Sequence, residues 1–372
     1  MIPSIDLSQL SAPAQKIAAP SAPEKLQEMA AKGIAPGVRP AELLALLVLF
    51  STSDRAGVRA AAEKTLAAPP EPLLAAAITT DLHPAVIDAL ARACLERRDV
   101  LEKILAMPGV DMETVEAVAK RGGEAVTELI ATNEERLLAH PRIIELLYLN
   151  KATRMSTADR LCDLAVRNGV VLGGIPAFKE VTIALKDELI PEPSEEPTPD
   201  DVLFQETEEI AAALESHPDE DTHLEDEEGK EILKEKFLPL YKRIGSMTMS
   251  QKIRRATLGS KEERMLLVRD SNRVIASAAI RSPLMQESEV VLLSRNKNLA
   301  DEVLRVISST SEWLKSYAVK KNLVENPKTP VPVATRLVQH LREADLRSVA
   351  KSKNVTGAVK DAAKRHLDRR KT

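Results

Sequence analysis

Arg-Asn-Lys-Asn-Leu-Ala-Asp-Glu-Val, residues 295–303, sets the reading of the whole chain. A small polar residue at Asn296 follows one apolar stripe, a short loop comes next, and Val303, seven positions on, opens another stripe. The phrase returns as Asn326 to Val333 and Ser352 to Val359, and one residue longer as Ser282 to Val290. A helical unit of this length cannot bury its own apolar face, so recurrence at spacings of 14 to 30 residues predicts stacked units that lean on their neighbours. The expected fold is all-α: an α-solenoid in two blocks joined by an acidic flexible linker.

Composition supports helices. Hydrophobic residues make up 44% of the 372 positions and aromatics only 2%, so Ala, Leu, Val and Ile must do the packing. Strands favour β-branched and aromatic residues, whereas Ala and Leu suit thin helix-on-helix layers. The first block, 37–186, carries the period plainly. Leu43, Leu44, Leu46, Leu47 and Leu49 predict a buried helix, Pro84 starts one holding Val86, Ile87, Leu90 and Ala91, and Pro141 precedes Ile143, Ile144, Leu146 and Leu147. Phe178 to Leu185 closes the block as a helix. Residues 1–36, rich in Pro, Ala and Ser, read as a flexible leader with a short helix around Leu26 and Met29.

The net charge of −4 hides a sharp division. From Asp187 to Glu228 there are 18 acidic residues and no Lys or Arg, whereas Lys230 to Thr372 carries 31 basic against 15 acidic residues. The acidic stretch, 187–230, has prolines at 191, 193, 197 and 199 and little apolar surface, and so reads as a linker. Inside it Val202, Leu203, Phe204, Ile210 and Leu214 predict a short amphipathic helix over 202–215, the natural docking peptide of the chain.

The second block, 231–372, is the basic one. Lys252, Arg254, Arg255, Lys261, Arg264, Arg269 and Arg273 cluster in one stretch, and Lys351, Lys353, Lys360, Lys364, Arg365, Arg369, Arg370 and Lys371 crowd the end. Lined along one face they would attract an anionic partner by summed potential and counterion release. Two uses follow: a scaffold that binds protein partners, or a nucleic-acid-binding repeat protein that sets the same residues against phosphates. Scarce aromatics for base stacking weigh against the second. A tethered acidic segment acts at an effective concentration of order 1 mM, so 187–229 is expected to lie on 231–372 as an intramolecular lid, or else to serve as a spacer.

The phrases at 295–303 and at 325–333, Glu-Asn-Pro-Lys-Thr-Pro-Val-Pro-Val, resemble the inter-helix loops of HEAT-like and leucine-rich-repeat-variant proteins. Met247-Thr248 through Gln251-Lys252-Ile253, Gly259, Lys261 to Arg264 and Arg269 to Arg273, on to Ser282-Pro283, is similar to a module of uncharacterised bacterial repeat proteins. The first block departs from the pattern, with Pro-Gly or His-Pro loops in place of Asn-x-Asn. The resemblance implies superhelical surfaces used for binding and brings no catalytic residues.

Enzyme signatures are lacking in the sequence. It has no phosphate-loop pattern around Gly173-Gly174, no Gly-x-Ser-x-Gly elbow and no His-Glu-x-x-His pair. Trp313 has Glu312 beside it, the pairing a HEAT-like glycosylase would set in a groove, but nothing further matches. His83 and His140 each precede a proline and read as loop or capping residues; His217 and His223, six apart among carboxylates, make a weak divalent-ion pair at best. Cys94 and Cys162 sit in apolar helical patterns and read as reduced core residues. No cofactor or metal is expected. The start of the chain lacks a basic run before an apolar stretch, and no segment approaches a membrane span, which gives a cytoplasmic expectation.

Overall fold

The computed structural model describes residues 4–186, 188–214, 216–217, 220–226 and 230–371, the side chains of 370 and 371 excepted. Helix accounts for 64% of the structure, and among the described residues the one sheet is an antiparallel pair, His223–Glu225 with Glu231–Leu233. The chain divides into two compact units: residues 1–161 with 168–172, and residues 162–167 with 173–372. The acidic stretch therefore falls inside the second unit, and the division runs through the Met155–Arg167 helix.

In the first unit helices pack on alternate neighbours. Glu24–Ala31, Ala56–Ala67, Pro84–Ala93, Met112–Arg121 and Arg142–Leu149 follow one another in contact, while Pro40–Phe50 packs on Glu71–Ala77 and Arg98–Leu105 on Glu124–Ala131. Pro40–Phe50 is apolar nearly all round and buried nearly all round, as such a helix must be. Pro84 occupies the first helical turn, where its missing N–H is no loss, and the His83 ring accepts from the Ala85 N–H at 3.2 Å to cap it. Cys94 and Cys162 form no disulfide, and both are buried. Burial pushes the Cys94 thiol up.

The leader carries more structure than its composition predicts. Ala12–Ala18 and Glu24–Ala31 are helices that pack on Pro40–Phe50, and Ala14, Ile17, Ala22, Ala30 and Ala31 are buried there. Alanines in a Pro/Ser-rich stretch read as low complexity, yet small side chains are what close helix approach requires. Glu42 locks the contact: its carboxylate accepts from the Ser11 N–H at 2.9 Å, the Ser11 hydroxyl at 2.8 Å and Arg39 Nη2 at 2.6 Å.

In the second unit Met249–Leu258, Arg273–Ile280 and Asp301–Ser309 pack in succession, as do Glu287–Arg295, Tyr317–Glu325 and Glu343–Lys351, and Val331–Val338 packs on Gly357–Lys371. The recurring phrase is the joint between these helices. Asn296, Asn326 and Ser352 each cap a helix C-terminus in extended backbone, with φ −70, −84 and −62° and ψ 123, 119 and 136°. Each side-chain oxygen accepts from the N–H two residues on, at 2.7, 3.0 and 3.3 Å. The next helices begin at Asp301, Val331 and Gly357, five residues past each cap. Leu299, Thr329 and Val355, three past the cap, are buried, as are Val303 and Val359, while Val333 is half-buried. Ser282 shares part of this geometry: its hydroxyl accepts from the Leu284 N–H at 3.2 Å, and a helix begins at Glu287.

The asparagines also tie one loop to the loop before it. Asn326 Nδ2 donates to the carbonyls of Ser294 at 3.1 Å and Asn296 at 2.8 Å, satisfying acceptors that the end of Glu287–Arg295 leaves open. The first unit uses the same joint where the sequence pattern departs from it. Asn150 ends Arg142–Leu149 at φ −83°, ψ 121°, accepts from the Ala152 N–H at 2.9 Å and donates to the carbonyls of Ala119 and Gly122 at 2.9 Å each, and the next helix begins at Met155. The two units thus share a joint as well as a secondary-structure class.

Candidate functional site

The acidic stretch begins the site. Thr198 and Asp201 form a reciprocal cap, the Thr198 N–H donating to Asp201 at 2.8 Å and the Asp201 N–H to the Thr198 hydroxyl at 3.3 Å. Pro199 sits in the first turn, and the helix runs Pro199–Ala212, close to the span expected at 202–215; Glu215 lies outside the described residues. Phe204, Thr207 and Ala211, at spacings of three and four, bury one face, and the helix packs on Leu238–Gly245. A hairpin, His223–Glu225 with Glu231–Leu233, follows it. So the stretch read as a linker has folded elements of its own. The physical reason is compensation: its carboxylates meet the basic side chains of 234–269, which a count of residue types cannot reveal.

Arg269 holds the hairpin. Its Nη2 donates to Asp221 at 2.8 and 2.9 Å, its Nε to Glu231 at 3.3 Å and its Nη1 to the Met265 carbonyl at 2.8 Å. Lys261 Nζ donates to the carbonyls of His217 and Glu220, at 2.7 Å each, and burial lowers its pKa. Glu220 bridges Lys236 at 2.7 Å and Lys234 at 2.9 Å, and hydrogen bonds from these two ammoniums, Lys236 first, lower its carboxyl to about 2. Glu206 pairs with Arg243 at 2.5 Å. Glu188 accepts from the Ser250 N–H at 2.8 Å and its hydroxyl at 2.5 Å, in the first turn of Met249–Leu258.

Deeper, the arginines of 254–264 serve the interior. The guanidiniums of Arg254 and Arg255 lie 5.1 and 4.6 Å from the centre of the Phe204 ring. Arg255 Nε donates to Glu263 at 2.5 Å and Nη1 to Glu208 at 3.2 Å, while Nη2 is buried with no hydrogen-bond partner. Glu263 also accepts from the Ser260 N–H at 2.6 Å; burial pushes its carboxyl up and Arg255 opposes the shift. Gly259 is required beside it, because a Cβ there would collide with the Arg255 carbonyl and the Glu263 carboxylate. Arg264 grips Glu289 through two nitrogens at 3.1 and 2.7 Å and gives a third bond to the Gly259 carbonyl at 2.8 Å.

The expected contact residues are thereby sorted. Arg254, Arg255 and Arg264 are buried, and Lys261 and Arg269 are bonded to the acidic stretch. Lys252 is half-buried, 3.6 Å from Asp270, and Arg273 is exposed. At the end of the chain Lys351, Lys353, Lys364, Arg365 and Arg369 are exposed and Lys360 is half-buried, while the Arg370 and Lys371 side chains lie outside the described residues. The sequence reading missed the partners that occupy the inner arginines: Phe204, Glu208, Asp221, Glu231, Glu263 and Glu289. The Thr198-x-x-Asp201 cap and the spacing of Phe204, Thr207 and Ala211 were the signals for the first two.

Two cavities open nearby in this unit. One of about 350 Å³ lies between His223 of the hairpin and Tyr241, Lys252, Arg269 and Asp270; one of about 240 Å³ lies where the loops at Lys297, Asn326 and Ser352 meet. Burial lowers the His223 imidazole pKa, with Arg269 adding to the effect. Among the described residues no group of three or more His, Cys, Asp or Glu is arranged to hold a metal, and no helix is long and apolar enough to cross a membrane. Trp313 begins a single 3-10 turn and Glu312 pairs with exposed Lys315. Compared with known proteins, the chain matches no family model and no curated protein. Its class, an all-helical protein of repeat-like construction, rests on the structure.

Proposed function

We propose that this chain is a non-enzymatic cytoplasmic scaffold, an α-solenoid of HEAT-like repeats whose second unit binds protein partners and whose acidic segment masks part of that unit's basic surface. The observation that carries the reading is the seating of the segment on the basic residues: Asp221 on Arg269, Glu208 on Arg255, and the 217 and 220 carbonyls on Lys261. Repeating joints with one geometry in both units favour long surfaces built by stacking over a single deep reaction chamber. The two buried cysteines, outside any disulfide, suit a reducing compartment.

The anionic-partner face then reduces to the exposed basic residues at the end of the chain together with Arg273. Immobilised intact chain should retain a specific protein from lysate and give no shift of duplex or single-stranded nucleic acid at 150 mM salt. Retention of nucleic acid that falls steeply with salt would overturn the protein-partner reading. Neutralising the masking carboxylates, in a chain carrying Glu206→Gln, Glu208→Gln and Asp221→Asn, should raise affinity for polyglutamate about tenfold and steepen its salt dependence. An unchanged affinity rejects the mask.

A further inference from the structure

The Pro199–Ala212 helix is seated in a manner that leaves Arg255 incompletely paired beneath it. Only Asp201, Phe204, Thr207 and Ala211 are buried along its 14 residues, and Val202 faces solvent. Its carboxylate for Arg255 is half-exposed Glu208, reaching Nη1 alone at 3.2 Å, and Arg255 Nη2 is left buried without a partner. A guanidinium is satisfied best by a carboxylate that takes two nitrogens side by side, and a buried donor left open is a standing penalty. Beneath the helix, Arg254 and Arg255 both face the Phe204 ring. The covered surface is therefore an aromatic seat with a half-used carboxylate seat one turn away.

We propose that this footprint, formed by Leu238–Gly245 and Met249–Leu258, is a docking groove for an acidic amphipathic helix of a partner, and that the chain's own helix is its resident stand-in. The ligand presents an aromatic residue at one position and, one turn later, a carboxylate that engages Arg255 through both Nη atoms. Small residues at the positions of Thr207 and Ala211 allow the same close approach. This deepens the scaffold reading by naming the partner's chemistry, and it rests on that reading. Because the resident helix acts at an effective concentration of order 1 mM, a partner present at micromolar levels must bind about a thousandfold better than the resident sequence does in trans.

Hydrogen exchange on the intact wild-type chain tests the stand-in without any substitution. Amides of 199–212 should exchange at least about tenfold faster than those of 249–267, showing local release from a folded unit. A synthetic peptide of residues 198–214, added at about 1 mM, should displace about half of the chain's own helices from the groove and so raise their exchange severalfold. The same peptide with Phe204→Ala and Glu208→Gln should have no effect. A Phe204→Ala chain that keeps its wild-type far-ultraviolet spectrum should bind the unaltered peptide at least tenfold more tightly than wild type does. Exchange of 199–212 together with 249–267, or equal competition by the two peptides, overturns the groove. Neither result touches protein capture by the intact chain, so failure here is distinguishable from failure of the scaffold reading.

Discussion

Replacing Asn326 by alanine should destabilise the second unit by untying one of its loops from the loop before it. Asn326 is 4% exposed and makes three side-chain bonds: Nδ2 to the carbonyls of Ser294 and Asn296, and Oδ1 from the Lys328 N–H. Each lost bond is worth about 1 kcal/mol net, and a buried group left unpaired about 1–3 kcal/mol. The cavity of about 240 Å³ that Asn326 lines lets water reach the freed carbonyls, so the lower part of that range applies. The expected loss is about 2–3 kcal/mol, which for a unit of this size lowers the melting midpoint by about 4–12 °C. Urea unfolding followed by far-ultraviolet circular dichroism measures it. Asn326→Ser, which keeps an acceptor for Lys328 and loses both carbonyl bonds, should fall between alanine and wild type. Asn354→Ala, in the next loop and exposed, should stay within about 0.5 kcal/mol of wild type. A loss below about 0.5 kcal/mol for Asn326→Ala would refute the idea that these side chains tie loop to loop.

Further outcomes follow from the same geometry. Ser352 stands where Asn326 stands one loop earlier but reaches no carbonyl of the preceding loop among the described residues, so Ser352→Asn should add up to two bonds and raise stability by about 1 kcal/mol in the same urea assay. Glu289→Ala strips buried Arg264 of its two-point partner and should cost about 3–5 kcal/mol, against about 0.5 kcal/mol or less for Glu343→Ala in an exposed pair with Arg347. Glu42 is held at about 2, below its ordinary 4.5, by Arg39 first and by the Ser11 hydroxyl and N–H, with burial opposing. A carboxylate depressed in the folded state stabilises fully above its unfolded pKa and loses that contribution as pH falls toward the folded value. The stability difference between wild type and Glu42→Gln should therefore be constant above about pH 5 and shrink between pH 4.5 and 2.

Periodicity made the helices legible. Asn296, Asn326 and Ser352 mark chain positions where a stripe stops and another starts, and local chemistry, an oxygen bonding to the N–H two residues on, suffices to place a joint there. Asn150 performs the same task inside Leu149-Asn150-Lys151-Ala152; the pattern Asn-x-Asn was too narrow, because the bonding needs one asparagine and a backbone N–H. Residues 1–36 and 187–230 were harder for a different reason. Ala14 and Ala30 are buried by helices distant in sequence, and the carboxylate of Asp221 is neutralised by Arg269, 48 residues away. Composition counts side chains but cannot pair them. The same blindness made Arg255 and Arg264 read as a surface, when their partners Glu263 and Glu289 lay in plain view along the chain.

Whether the acidic segment is a seated part of the second unit is tested most directly by limited digestion of the intact chain with a glutamate-specific protease. Glu192, Glu195 and Glu196 are exposed in an irregular stretch and should be cut first. If the segment is seated, the resulting C-terminal fragment keeps Glu206, Glu208, Glu209, Glu220 and Glu225 uncut long after the 192–196 sites are cleaved, and a chain carrying Arg269→Ser and Phe204→Ala loses that protection. Rapid cutting at 206–225 in the wild-type chain, with 231–372 left whole, would show a free linker and contradict the account.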